Sequence, residues 1–141
     1  LYGKLNIDLT LAWANTWGST NHSNNNNNAG NAVGIKVTSD NHIIVVGSDA
    51  VDPNHGYNGT LQLAKLTPGG VIIWNKQRNL NQYTNVKHLT LDANDNIYAL
   101  TYSINNIAPN NHDHIIEKYN TFGTLIWSKT IGTGWQILLI K

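Results

Sequence analysis

The sequence predicts an all-β chain built from tandem four-stranded antiparallel units, and three observations carry that expectation. One phrase recurs three times: KLNIDLTLAWANTWG from Lys4, KLTPGGVIIWNKQRN from Lys65 and KYNTFGTLIWSKTIG from Lys118, which puts Trp13, Trp74 and Trp127 at a single repeat position. Trp74 follows Trp13 by 61 residues and Trp127 follows Trp74 by 53. That is the length of a four-stranded unit, which cannot bury its apolar faces alone and has to stack on its neighbours. A second alignment confirms the first through independent residues. AVGIKVTSDNHIIVVGS from Ala32 matches NVKHLTLDANDNIYALTY from Asn85 at an offset of about 54, pairing Val33 with Val86, Asp40 with Asn94 and Ile43 with Ile97. The third observation is texture: short β-branched and aromatic runs are broken by turn residues, with no helical period sustained beyond two turns.

The elements follow in order. Inner strands are expected at 32–38 and 86–92, second strands at 42–48 and 96–102, third strands at 60–66 and 113–119, and fourth strands at 71–77 and 124–130. Two kinds of turn recur once per unit. Ser39-Asp40-Asn41-His42 and Ala93-Asn94-Asp95-Asn96 use side chains that bond their own backbone, while Thr67-Pro68-Gly69-Gly70 and Asn120-Thr121-Phe122-Gly123 end in glycine. The first unit has Leu9 where the others have Gly70 and Gly123, so its hairpin at 6–9 departs furthest from the pattern. The Asn-rich stretches at 19–31, 49–59 and 103–112 are too polar and too broken for elements and are expected as loops, where binding residues are commonly mounted. The low-complexity tract in the first of them is expected to be mobile rather than recognising anything.

A third strand ending in AKL or EKY, a turn closing in glycine, VIIW or LIW followed by Lys, and a strand leading into DNHIIVVG or NDNIYAL together resemble the bacterial β-propeller repeats of secreted and surface proteins. In that family the turn before the second strand reads as Asp, a variable residue, Gly, Asn, then an aliphatic and an aromatic. Asn94-Asp95-Asn96-Ile97-Tyr98 keeps most of this; Asp40-Asn41-His42-Ile43-Ile44 has lost both the glycine and the aromatic. The resemblance spans nearly the whole chain. It implies a toroidal propeller, exported from the cell, used for adhesion or as a module of larger surface proteins, with no shared catalytic residues.

On this reading the blades are 1–18 (partial), 32–79 and 85–132, with 135–141 supplying the first strand of a further blade. The chain stops mid-blade at both ends, whereas a closed propeller takes about four to eight blades. Two readings follow. In one, the chain is a fragment or the ordered part of a longer one, which fits a sequence that begins at Leu1 and holds no Met. In the other, the last strand of one copy joins the first two strands of the next, and head-to-tail contacts build a ring or a filament.

Composition bounds the function. The chain has 23 Asn, including the run at 24–28, 12% charged residues and a formal net charge of +1. Its surface is thus polar without a field for nucleic acid or for cationic partners. No Cys is present, which excludes disulfides, thiolate catalysis and cysteine metal sites together. No apolar run approaches the roughly 20 residues of a membrane helix, so no membrane insertion is expected.

Trp13, Trp74 and Trp127, with Gly70 and Gly123, are expected to be structural, the tryptophans packing between units. Trp17 and Trp135 do not repeat, Arg78 and Ile131 answering to Trp17, and Tyr57 sits in a polar insertion. These three are the candidate ligand residues, because an aromatic face beside amides and carboxylates suits a sugar, although buried filler is the commoner fate of a lone Trp. His112-Asp113-His114 puts two imidazoles on one side of a strand, a candidate metal pair needing one or two further ligands, with Asp52 and His55 as the sources. Asp92, Asn94 and Asp95 resemble a calcium loop without its Gly and distal Glu, and a hairpin turn is the favoured account. Glu117 is the chain's only Glu, no Ser sits in a nucleophile elbow, and no phosphate loop exists. The expectation is therefore a non-enzymatic, cofactor-free extracellular or surface module. It would self-associate or belong to a longer chain, with a glycan-binding propeller as the alternative and a hydrolase behind it. Asn21-His22-Ser23 and Asn58-Gly59-Thr60 would be glycosylation acceptors only in a eukaryotic secretory setting.

Overall fold

The computed structural model describes residues 2–15, 31–49, 60–79, 83–105 and 111–133. The Asn run, Trp17, Asp52, His55, Tyr57, Trp135 and the segment 135–141 lie outside the described residues. Ten strands are present among them and no helix. β1 (Tyr2–Leu5) and β2 (Leu11–Asn15) form a hairpin. β3 (Asn31–Val37), β4 (Ile43–Asp49), β5 (Thr60–Leu66) and β6 (Ile72–Asn79) form one four-stranded sheet in that order. β7 (Tyr83–Leu91), β8 (Ile97–Asn105), β9 (Asn111–Tyr119) and β10 (Leu125–Thr133) form a second. Every pairing is antiparallel and joins chain neighbours.

The strands overlap the expected ones, but β7 starts at Tyr83 and β10 runs to Thr133, each three residues beyond the expected bound, and pairing extends into the polar margins. Asn31 opens β3, Asp49 closes β4, and β8 and β9 run on until Asn105 pairs with Asn111. Ladder bonds belong to the backbone, so pairing continues through polar side chains that sequence patterning assigns to loops.

Five turns, at 6–10, 38–42, 67–71, 92–96 and 120–124, share one geometry rather than the two kinds expected. In each, the first residue's N–H donates to the carbonyl four residues on, and the fourth residue's N–H donates back to the first carbonyl. The fourth residue takes a positive φ: Leu9 66°, Asn41 64°, Gly70 85°, Asp95 58° and Gly123 73°. This is a type I turn closed by a left-handed residue, which suits the twist of the flanking strands. Gly adopts that conformation freely and Asn and Asp tolerate it, whereas a leucine there costs about 1–2 kcal/mol. Side chains lock the first position: Asn120 Oδ1 accepts from the amides of Phe122 (3.0 Å) and Thr124 (2.9 Å), and Asp92 Oδ1 from those of Asn94 (3.0 Å) and Asn96 (2.9 Å).

Strand alternation distributes the core. On β4, Ile44 and Val46 face the second sheet, where with Leu61 and Leu63 they meet Val86, Leu89, Ile97, Ala99 and Tyr119. The intervening Ile43 and Val45 point the other way and, with Leu66, pack on Tyr2 and Trp13 of the hairpin. The first sheet is thus covered on both faces, which is why β4 reads as an unbroken aliphatic run. Burying each such side chain contributes about 1.5–3 kcal/mol. β7 lies against β3, β4 and β5. The close approach depends on Gly34, where a Cβ would sit 2.7 Å from Leu89 Cβ.

Candidate functional site

The repeated tryptophans mark the contact that joins one unit to the next. Trp13 on β2 lies over Gly70, in the β5–β6 turn of the first sheet; a Cβ added there would fall 2.6 Å from Trp13 Cδ2. Trp74 on β6 lies over Gly123, in the β9–β10 turn of the second sheet, where a Cβ would fall 2.9 Å from Trp74 Cζ3. The glycine therefore serves twice, giving the turn its positive φ and giving the ring a flat backbone seat. Around the first seat Trp13 Nε1 donates to Pro68 O at 3.2 Å, and Asn15 Nδ2 to Gly70 O at 3.1 Å. The second seat departs from the first, since Trp74 Nε1 is buried without a hydrogen-bond partner among the described residues.

Two polar links accompany the stack between the sheets. Arg78 Nη1 on β6 bonds Glu117 Oε1 on β9. Glu117 is fully buried, and it also accepts from Tyr119 Oη at 2.5 Å and Ser128 Oγ at 3.3 Å. These are the only Arg and the only Glu of the chain. Burial pushes the Tyr119 phenol up to about 12, against the opposing pull of the Arg78 charge. At the turn tips the Asp95 carboxylate accepts from the Ser39 amide at 3.0 and 3.1 Å and from the Ser39 hydroxyl at 2.5 Å.

The outer face of the second sheet carries the same ring without a partner among the described residues. Trp127 on β10 is 41% exposed, and Tyr98 props it edge-on at 6.1 Å between ring centroids. Lys118 Nζ lies 4.9 Å from the Tyr98 ring centre and 3.4 Å from Asp92 Oδ2. Bonding to Tyr98 and then to Asp92 raises the Lys118 pKa against desolvation. Asn96, the neighbouring amides and Lys118 hold the Asp92 carboxyl well below the usual carboxylate range. At the opposite end, the hairpin exposes Leu5, Ile7, Leu9 and Leu11. Beside it a cavity of about 560 Å³, lined by Gly3, Ile35, Val37, Ile43 and Pro68, opens where the hairpin ends after two strands.

The structure brings four of the five repeat-position residues together, as the pairs Trp13–Gly70 and Trp74–Gly123, and leaves Trp127 at the outer face of the second sheet. The three candidate ligand aromatics, Trp17, Tyr57 and Trp135, lie outside the described residues. Of the candidate metal pair, His114 packs on Tyr102 with ring centroids 5.3 Å apart, while the His112 side chain lies outside the description. Among the described residues no three His, Asp or Glu side chains gather as metal ligands do. Asp92, Asn94 and Asp95 form a hairpin turn whose Asp92 oxygens take donors from Asn94, Asn96 and Tyr98. Thr38 and then His42 likewise draw the Asp40 carboxyl down, with Lys65 Nζ at 3.2 Å. Sequence reasoning missed the Arg78–Glu117 pair, and the available signal was that each residue type occurs once and outside the repeat pattern.

No family model matches the chain, and no curated protein matches it.

Proposed function

We propose that the chain is a β-propeller segment, a non-enzymatic module of an exported or surface assembly that works by stacking its blades on further blades. The observation that carries this reading is the Trp-over-Gly seat, made twice within the chain and left open at Trp127. Large exposed apolar patches at the ends of a stacked array are surfaces built for coverage. The non-enzymatic part is supported by Glu117. Buried beneath Arg78 and Tyr119, the one glutamate is committed to joining two sheets and meets no solvent. The exported setting rests on the resemblance of the repeats.

Binding of an apolar-surface dye tests the reading. The full chain is expected to bind the dye at both ends. Trp127→Lys and Leu11→Lys are each expected to lower the signal while leaving the far-ultraviolet β-sheet spectrum unchanged. A chain that binds no dye, or variants indistinguishable from wild type, would mean that the end faces are finished surfaces and that the module reading is wrong.

A further inference from the structure

The two occupied seats state what a tryptophan of this repeat requires, and Leu9 closes the turn that stands at the same repeat position as Gly70 and Gly123. Gly70 and Gly123 receive rings so closely that a Cβ would stand 2.6 and 2.9 Å from them, inside any real carbon contact. Leu9 occupies the equivalent place with the same left-handed backbone, φ 66°, and its side chain is exposed. A tryptophan cannot settle on that turn at the depth seen twice elsewhere. The leucine also keeps a conformation that is costly for it.

On the donating side, Ile131 stands where Arg78 stands one repeat earlier. An incoming sheet with a buried carboxylate at the Glu117 position would find no cation there.

From these facts we propose that the Trp127 face docks a β-sheet unit carrying glycine at the turn and an uncharged residue at the Glu117 position. Leu9 bars this chain's own hairpin from that role. The chain therefore does not polymerise by repeating its internal contact; it presents a specific face to a glycine-turn partner. The inference rests on the stacking reading above and narrows it.

The test uses two full copies joined by a flexible linker of about 20 residues, which holds them at an effective concentration near 1 mM. The first copy carries Lys129→Cys, a single thiol in a chain without cysteine. Lys129 takes the position of Lys76, whose Cγ lies 3.0 Å from where a Cβ on Gly123 would be. A seated unit therefore shields it from a maleimide. The second copy either keeps Leu9 or carries Leu9→Gly. The copy with Leu9→Gly is expected to slow labelling about tenfold, as a contact of about 0.1 mM affinity would. The copy that keeps Leu9 is expected to leave the rate unchanged, and Trp127→Ala in the first copy is expected to abolish the protection. Equal protection by both copies would overturn the glycine requirement and leave the stacking reading standing. Protection by neither would overturn both.

Discussion

Gly70 and Gly123 each answer two demands, a positive φ and a ring laid on the backbone, so substitution fails on both counts. Gly70→Ala is expected to lower stability by about 2–4 kcal/mol, combining backbone strain with displacement of Trp13. Leu9→Gly, where no ring sits, is expected to raise it by about 1 kcal/mol; urea unfolding of the two variants reads both. Arg78→Ala strands a buried carboxylate and is expected to cost about 3–5 kcal/mol, whereas replacing both Arg78 and Glu117 by Met is expected to cost much less. Tyr119 gives an alkaline signature. Its folded pKa is raised, so its contribution is complete below about pH 10 and is lost as pH climbs toward 12. Absorbance titration is expected to show Tyr119 ionising late, and Tyr119→Phe to remove that step. The repeat residues were legible in the sequence because they recur at a fixed spacing. The ion pair was not, since a link between two sheets needs a register that no local pattern encodes.

At the scale of the element, one turn design serves five hairpins, and its side-chain locks make it acid-sensitive. Asp40 and Asp92 are held below the ordinary carboxylate range, so their contribution is present above about pH 4 and is lost as pH falls below it. Thermal melts are expected to drop on acidification, and Asp92→Asn to flatten that drop. Strand positions could be read because β-branched runs alternate with turn residues. Strand ends could not, because β8 and β9 pair through the polar stretch up to Asn105 and Asn111. Nor could the common turn geometry, since Leu9, Asn41 and Asp95 adopt the glycine conformation without being glycine. Packing position separates otherwise identical tryptophans. Trp74→Ala, in a covered seat, is expected to cost about 3–5 kcal/mol, and Trp127→Ala, at an open one, about 1 kcal/mol or less.

At the scale of the molecule, a doubly covered central sheet sits between two ends that the described residues leave incompletely covered, and the coverage is arranged by one contact repeated along the chain. Stability in such an array sums unit and interface terms, so each seat counts separately. The candidate ligand aromatics Trp17, Tyr57 and Trp135 were visible in the sequence as departures from the repeat, but they lie outside the described residues and contribute nothing to this account. The central claim, that a tryptophan seated on glycine joins successive sheets, is tested most directly by a double-mutant cycle between Trp74 and Gly123. Unfolding free energies are measured for wild type, Trp74→Ala, Gly123→Ala and the double variant. Backbone strain at Gly123 is common to both arms and cancels, leaving the contact itself. The expected result is a coupling of about 1–2 kcal/mol, with the alanine at 123 far less costly once the ring is gone. Additive effects would mean that ring and glycine act independently and would contradict the account.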